Sequence, residues 1–459
     1  MRRAFLLWLV ASLAVPAYAQ LDERLRLGGS YQLYAGLRLA ETPDVLVARN
    51  RADLRLAFDY DRGRIVLRPR LDYDALGERL AGDLREAYLD VYFDRVDLRL
   101  GRQLIVWGKT DGTFVTDLLA PLDLTEFLAQ PFDDLRLGVT AASATLYAGD
   151  FRVTGVAIPR RPTTLLPARG SPWNPLPDDV LGIPFAFSEP SPQDSTLGGA
   201  ETALRVTWTG LARTDLALLW INGFNRIPAF RKGLELSILP ASARFAVTPT
   251  YERRQVFGLT FETLALDPLV VRGEAAFHTS YLLDEAFDVP DDLLDLLDLP
   301  PEDLPETPLD LLDPAFRASV ERGFLLDRPL GQAVLGLERS FGAQLFRAQA
   351  LGTVVFDWDE RVAQDRFEPA LTLLWNGRFR RETLTAQAFA LYNLGADFWL
   401  NPELTYAVRD ALNATLGLQV FGGPGGNTAD LAGLLREPAF SFATYRRNSF
   451  AYLRVAYSF

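Results

Sequence analysis

The sequence predicts an all-β fold, a transmembrane antiparallel β-barrel of about 18 strands with short periplasmic turns and long extracellular loops. Three observations lead to this prediction. Apolar and polar residues alternate along most of the chain, tight turns and long joins follow one another, and no segment is apolar for long enough to form a spanning helix. Apolar residues make up 49% of the chain and charged residues 23%. This balance suits strands that have one apolar face and one wet face.

The alternation is clearest in the strands predicted near residues 49–60, 63–74 and 84–94. Charged side chains occupy most of the alternate positions there, and the positions between them are mostly apolar. A sandwich core could not bury so many charges, whereas a water-filled lumen accommodates them. We therefore expect a pore lined by the following residues, including one from the next strand: Arg51, Arg55, Arg64, Arg68, Arg70, Glu86, Asp90, Asp94 and Arg99. Further lumenal candidates are Arg205, Glu262, Arg272, Glu274 and Arg347.

The role of these charges has two interpretations that the sequence leaves open. Rings of charge in a narrow pore set its preference for anions or cations. Arginine and carboxylate side chains on neighbouring strands also form cross-strand pairs that tie a sheet together. Both roles are compatible with the same positions.

The same alternation continues to the end of the chain and predicts eighteen strands in all. They lie near residues 27–39, 49–60, 63–74, 84–94, 96–107, 136–148, 150–159, 198–209, 212–223, 252–266, 269–282, 331–341, 344–357, 367–377, 380–393, 398–408, 411–421 and 448–459. Tight turns such as Asp61-Arg62 and Gly149-Asp150 alternate with longer joins. The long outer loops are predicted near 108–135, 159–197, 224–251, 283–330 and 422–447. An even number of strands returns both ends of the barrel to the periplasm.

Residues 1–19 are predicted to be a secretory signal peptide. Arg2 and Arg3 precede a short apolar stretch, and Ala17-Tyr18-Ala19 has the spacing of a cleavage site. Residues 20–459 would then form a single barrel domain. Little chain precedes the first predicted strand, so we expect no N-terminal plug domain and disfavour an energised transporter.

The chain ends in a strand whose alternate residues Tyr457 and Phe459 share one face with other apolar positions. This segment resembles the C-terminal strand of Gram-negative outer-membrane β-barrels, in which the last strand and its terminal Phe are read by the insertion machinery. The resemblance implies an assembly signal at Tyr457 and Phe459. It also implies a location in the outer membrane, with membrane lipid and the barrel assembly machinery as partners.

A second resemblance concerns Gly101-Arg102-Gln103, Trp107-Gly108 and Pro121-Leu122-Asp123. This pattern is similar to a porin-like family of Gram-negative outer-membrane proteins whose substrates are mostly undefined. The resemblance implies a pore but supplies no substrate. By analogy with general porins, the loop after Trp107 could fold into the lumen and narrow it, or it could stay outside. The constriction residues of an infolded loop would be Lys109, Asp111, Asp117 and Asp123.

The function expected from these observations is a passive porin-like channel for small polar or charged solutes. An alternative is a barrel that acts as an anchor or assembly partner through its long acidic loops, especially residues 290–323. A third interpretation is an outer-membrane hydrolase, because His278 and Ser280 share a polar face. The sequence places no orienting carboxylate or amide beside them, so we expect no catalytic residue and no enzyme activity.

Composition excludes several other classes of site. The chain has no Cys and one His, which excludes thiolate and multi-histidine metal sites, and no cofactor is expected. The formal net charge of −12 argues against a nucleic-acid partner. Porins often form trimers, but no feature of the sequence decides whether this chain forms a homo-oligomer.

Overall fold

Eighteen strands form one closed antiparallel barrel in the computed structural model, as the sequence predicts. The structure describes residues 24–110, 112–174, 179–180, 183–188, 197–238, 241–286, 313–395, 397–424 and 441–459. The predicted signal peptide therefore lies outside the described residues. The barrel strands are β1 (Leu25–Arg38), β2 (Val45–Tyr60), β3 (Gly63–Asp74), β4 (Arg79–Tyr92), β5 (Val96–Gln103), β6 (Val139–Ala148), β7 (Phe151–Ile158), β10 (Glu201–Leu211), β11 (Thr214–Phe224), β14 (Arg253–Leu266), β15 (Leu269–His278), β18 (Leu330–Phe341), β19 (Gln344–Val355), β20 (Phe367–Phe379), β21 (Leu384–Asn393), β22 (Phe398–Arg409), β23 (Leu412–Gly422) and β24 (Phe450–Ser458).

The barrel closes where β1 pairs with β24, in a register that joins Ser30 to Ser458. Beyond that strand, the backbone N–H of Gly29 donates to the carbonyl oxygen of Phe459 at 2.9 Å, and the N–H of Phe459 donates to the Gly29 oxygen at 3.0 Å. The predicted assembly residues thus lie at the seam, where the rings of Tyr457 and Phe459 stack with centroids 6.2 Å apart.

The faces of the strands follow the predicted alternation. Large apolar side chains are exposed on the outer surface, among them Leu33, Phe58, Ile65, Leu373 and Leu416. Charged and polar side chains occupy the inward positions between them on β2 to β5 and at many places on the other strands. This arrangement satisfies a membrane environment, because hydrocarbon contacts apolar side chains and the closed ladder leaves no unpaired strand edge.

Both boundaries of β4 differ from the prediction, and one predicted pore residue moves with them. β4 begins at Arg79 instead of near 84, and the β3–β4 register shifts between Arg68 and Pro69. This bulge adds Arg85 to the inward-facing side chains. β4 also ends at Tyr92, so Asp94 lies exposed in the turn before β5 rather than on the strand.

The outer loops contain short elements of their own. In the loops before β10 and before β14, the strands β8 (Asp179–Val180), β9 (Ile183–Phe187), β12 (Ala229–Ile238) and β13 (Ala241–Thr250) form one small sheet. In the loop before β18, the strands β16 (Leu282–Asp284) and β17 (Leu325–Asp327) pair on either side of a helix, α2 (Pro314–Arg322). This helix belongs to the predicted acidic segment 290–323, most of which lies outside the described residues. A four-residue helix, α1 (Phe132–Leu135), lies between β5 and β6, and 3₁₀ helices cover Leu197–Gly199 and Phe442–Asn448.

Within the described residues, no helix has both the length and the apolar character needed to cross a membrane.

Candidate functional site

The segment between β5 and β6, residues 104–138, lies inside the barrel, and we call it the infolded loop. β5 stops at Gln103, four residues before its predicted end, because the chain turns away from the wall there. The loop reaches inward-facing side chains on opposite parts of the barrel. It contacts Glu274 on β15, and Gly112 lies against the ring of Phe389 on β21. These contacts place the loop in the lumen. The sequence had not decided between a loop inside the lumen and a loop outside it.

Glu274 holds one end of the infolded loop to the wall. One carboxylate oxygen accepts the backbone N–H of Lys109 at 2.5 Å and the N–H and hydroxyl of Thr110 at 2.6 and 2.7 Å. The other accepts the N–H and hydroxyl of Thr116 at 3.0 and 2.6 Å. Only 4% of Glu274 is exposed. Five hydrogen bonds to one buried carboxylate compensate for its desolvation.

Asp134 holds the other end of the infolded loop to β2 and β3. Its carboxylate accepts from Arg51 at 2.9 Å and from Arg70 at 2.7 Å. The nearby Arg85 donates to the carbonyl oxygen of Arg136 at 2.6 Å. Burial raises the pKa of Asp134, but Arg70 and Arg51 lower it by more, so its pKa lies below the ordinary value.

Most of the predicted pore charges form pairs along the wall of β2 to β5. Arg68 and Arg70 both bond Asp53, at 2.8 and 2.7 Å. The further pairs are Arg51 with Asp72, Arg64 with Asp59, Arg99 with Asp90, and Arg68 with Glu86 at 3.8 Å. Arg55 is exposed to the lumen and makes no ion pair with any described residue. The wall therefore contains the cross-strand ion pairs of the structural interpretation. A role in ion selectivity stays open for the charged side chains that still face water.

The four predicted constriction residues of the loop have different surroundings. Lys109 lies on the inner part of the loop, 4.0 Å from the carboxylate of Asp215 on β11. Asp117 is buried and accepts the N–H of Trp107 at 3.3 Å and an N–H of Arg136. Asp123 accepts from its neighbour Thr125 instead of facing open space. Asp111 lies outside the described residues.

Burial raises the pKa of the Asp117 carboxyl above its usual value, although the Arg136 guanidinium offsets part of that effect.

Much of the lumen on the side of β6 to β18 is apolar, which the sequence analysis did not predict. The loop residues Ile105, Trp107, Val115 and Leu119 pack against inward-facing Val, Ile, Leu and Ala side chains of these strands. The wall residues of this core are Val139, Ala141, Val156, Ile158, Ala203, Leu219, Ile221, Val256, Ala276 and Val334. The infolded loop is therefore anchored by a hydrophobic core as well as by charges.

An aromatic cluster fills another part of the interior, beside β1 and β22 to β24. Phe127 of the infolded loop stacks on Tyr445 with ring centroids 4.0 Å apart. Trp173 from a second outer loop meets the ring of Phe450 edge-on at 6.0 Å. The hydroxyl of Tyr34 donates to the carbonyl oxygen of Ala129 at 2.6 Å. Two further outer loops, which carry Trp173 and Tyr445, thus meet the infolded loop inside the barrel and help to fix it.

Two cavities remain beside the infolded loop. The first, of about 600 Å³, lies along β4 to β7, β10 and β11, and its charged lining residues are Asp90, Asp97, Arg99, Lys109, Arg152, Arg205 and Asp215. The second, of about 330 Å³, lies between the loop and the wall formed by β19 to β22 and β24. We call this second space the amide cavity, because Gln349, Gln387 and Asn401 line it together with Gln130.

The Ser–His interpretation finds no matching geometry. The hydroxyl of Ser280 donates to Asp327 at 2.8 Å. His278 is fully buried and meets the ring of Tyr281 edge-on at 5.7 Å. Among the described residues, Ser280 and His278 therefore form no hydrogen bond with each other.

Sequence reasoning identified Glu274 only as a lumenal residue and missed Thr110, Thr116 and Asp134. Their roles depend on a loop crossing the barrel to meet strands distant in sequence. The only local indication was the alternation that placed Glu274 on an inward face.

The closed barrel and its apolar outer face define a membrane-spanning barrel of the outer-membrane porin type, in agreement with the predicted location in the outer membrane. Residues 49–299 match the model of a family described as "Protein of unknown function (DUF1302)". This match covers more than half of the chain, and the chain belongs to that family. No curated protein matches the sequence.

Solved outer-membrane proteins share this architecture at low sequence identity. The structure of OccAB2 from Acinetobacter baumannii is 9% identical, with a TM-score of 0.51 over 96% of this chain and 99% of that one. The outer membrane protein opdK from Pseudomonas aeruginosa is 9% identical, with a TM-score of 0.51 over 95% and 99% of the chains. OccK8 (OprE) from the same species is 8% identical, with the same TM-score over 95% and 98%. These similarities confirm the predicted porin-like barrel fold.

Proposed function

We propose that the protein is a passive outer-membrane channel for small polar solutes, narrowed at mid-height by the infolded loop. The amide cavity is the observation that carries this proposal. The loop is fixed to the walls by Glu274, Asp134 and two apolar clusters, yet it leaves a polar space against β19 to β22. If the lumen were packed only for structural support, we would expect the loop to close onto the wall of β19 to β22 as well. The polar side chains of that wall would then need hydrogen-bond partners on the loop.

The lining of the amide cavity supports passage of polar solutes. Gln387, Asn401 and Thr372 present hydrogen-bonding groups to the space, and Arg454 and Glu403 lie at one edge of it. Such groups replace part of the hydration shell of a solute, while the narrow cross-section limits its size. Movement would follow the concentration gradient of the solute.

Planar-bilayer recording combined with single-cysteine labelling tests the proposal. The chain has no cysteine, so each introduced thiol is unique. Gln387→Cys places a thiol in the amide cavity, and Ala388→Cys places one on the lipid-facing side of the same strand. We expect wild-type protein to conduct, and a charged methanethiosulfonate reagent to reduce the current of the Gln387→Cys channel only.

Two results would contradict the proposal. A barrel that folds and inserts but carries no current would favour the alternative function as an anchor or assembly partner. Equal labelling effects at positions 387 and 388 would show that the amide cavity is not the conduction path.

A further inference from the structure

We propose that the amide cavity is a binding site for neutral polyhydroxylated solutes, such as mono- and disaccharides. This inference rests on the proposed channel function and names the class of solute that the narrow part selects. Its basis is the combination of free amide donors, paired charges and aromatic surface in one space.

The amide groups of the cavity offer both donors and acceptors. The side-chain oxygen of Gln387 accepts from Asn376 at 3.4 Å, and that of Asn401 lies 3.1 Å from the Tyr452 hydroxyl, which also bonds the carboxylate of Glu403. Both residues line the cavity, and their amide nitrogens donate to no described residue, so their N–H groups are available to a solute. A sugar hydroxyl both donates and accepts, and therefore matches amide and hydroxyl groups better than a simple ion does.

The charges beside the cavity are paired. Arg454 lies 3.2 Å from Glu403. Arg347 bonds Glu338 at 2.8 Å, and Glu338 also accepts from Arg272 at 2.8 Å. Arg272 also bonds Glu262 at 2.6 Å, so three carboxylates match the three arginines. The surroundings of the site therefore present local dipoles without an excess of one sign. Such a lining gives an anion or a cation little advantage over a neutral solute.

Aromatic side chains supply the third component. Phe132 extends from the infolded loop, and Phe389 and Trp399 lie on the facing wall. The ring carbons of a sugar carry C–H groups that form apolar patches between its hydroxyls. Apolar surface with a few oriented polar groups is the usual composition of a small-molecule site, and about 330 Å³ lies at the small end of the usual range.

The first cavity has a different character. Arg205 there contacts Thr260 at 3.5 Å and the ring of Trp107 at 5.9 Å, and no described carboxylate pairs with it. The first cavity thus holds a guanidinium that no described carboxylate neutralises, and the neutral assignment applies to the amide cavity alone.

Block of the single-channel current measures the proposed binding. The probes are glucose, sucrose, gluconate, and a polyethylene glycol of the same hydrodynamic size as sucrose. We expect glucose and sucrose to reduce the current in a saturable manner, with polyethylene glycol giving no saturable effect. Gluconate differs from glucose by a carboxylate and should bind more weakly.

Variants connect the block to the cavity. Gln387→Leu and Asn401→Leu should each weaken sugar affinity about threefold to tenfold, the effect of one lost hydrogen bond, while the channel still conducts. Asn413→Leu makes the same kind of change on the inward face of β23 outside the cavity, and should leave the affinity unchanged.

The outcomes separate this inference from the channel function itself. Absence of any current would refute the channel and the inference together. A conducting channel with no saturable sugar block, or with tighter block by gluconate than by glucose, would overturn the inference alone. Equal loss of affinity in all three variants would also overturn it, because the binding would then not belong to the amide cavity.

Discussion

The two walls that face the infolded loop treat it differently. On β2 and β3, Arg51 and Arg70 reach the loop and share the carboxylate of Asp134. On β19 to β22, the amides of Gln387 and Asn401 face a cavity between wall and loop. Both walls are inward faces of similar alternating strands. The difference indicates that the charge of the loop decides which polar wall the loop covers and which wall stays exposed to the pore.

The physical reason lies in desolvation. A guanidinium that the loop shields from water needs carboxylate partners. Arg51 and Arg70 have Asp72 and Asp53 on the wall, and Asp134 of the loop is a further partner for both. An amide that keeps its water needs no such partner. A loop without a matching charge therefore gains less free energy by closing onto the wall that carries Gln387 and Asn401.

Asp134→Ala should produce the largest effect on this difference. It removes one hydrogen bond from each of Arg51 and Arg70, which keep Asp72 and Asp53 as partners. At about 1.5–3 kcal/mol for each bond between charged groups, loop docking should weaken by about 3–6 kcal/mol. We expect the loop of the variant to be cleaved by added protease under conditions in which the wild-type loop is protected. Asp83→Ala, which removes a half-exposed carboxylate 3.5 Å from Arg102, is the control. If the loop of the Asp134 variant stayed fully protected from protease, Arg51 and Arg70 would not be what holds the loop.

Glu274→Ala should have the next largest effect. It removes the acceptor of five hydrogen bonds at the opposite end of the loop. Because water can replace most of these bonds in the variant, docking should weaken by about 1.5–3 kcal/mol in total. The released segment should enlarge the passage, so we expect higher single-channel conductance and more current noise. Glu262→Gln, beside Arg272 on the neighbouring strand, should retain wild-type conductance. A Glu274 variant that conducts like wild type would exclude this residue as an anchor of the loop.

The pH dependence of docking should separate two carboxylates of the loop. The raised pKa of Asp117 means that its contribution is fully present below the ordinary carboxyl pKa of about 4 and is lost as pH rises through its folded pKa. The lowered pKa of Asp134 means that its contribution is present above the ordinary value and is lost as pH falls through its folded pKa.

Current noise recorded against pH tests these signs. We expect noise from loop motion to fall as pH is lowered from about 7 to about 4, and to rise again below that range. Asp117→Asn should flatten the first change, and Asp134→Asn the second. If Asp134→Asn flattened the change between about pH 7 and 4 and Asp117→Asn flattened the change below it, the roles of the two residues would be the reverse of those expected.

Arg55→Gln should have the smallest effect on stability and a clear effect on selectivity. Arg55 is exposed on the charged wall and has no ion pair with a described residue, so its loss costs no buried contact. A positive lumenal charge attracts anions, and we expect the reversal potential to move toward cation preference, most strongly at low ionic strength. Arg68→Gln should move it in the same direction but also weaken the wall, because Arg68 bonds Asp53 at 2.8 Å. An unchanged potential in the Arg55 variant would place this residue away from the conduction path.

The barrel itself could be predicted because its pattern is local. Alternation with a period of two assigns each residue to a face, and tight turns mark every second join. The inward placement of Arg51, Arg68 and Glu274 followed from this pattern alone. The bulge at Arg85 could not, since an extra residue changes the register without changing the composition of the strand.

The sequence by itself determined the number of strands, their faces and the presence of a long segment after Trp107. Only the tertiary structure decided that this segment enters the lumen, that Asp134 and Glu274 fix its ends, and that a cavity remains beside Gln387. The physical reason is the distance along the chain between partners. Alternation depends on neighbouring residues, whereas docking depends on whether charges from β2, β3 and β15 meet the loop in space after the barrel has closed.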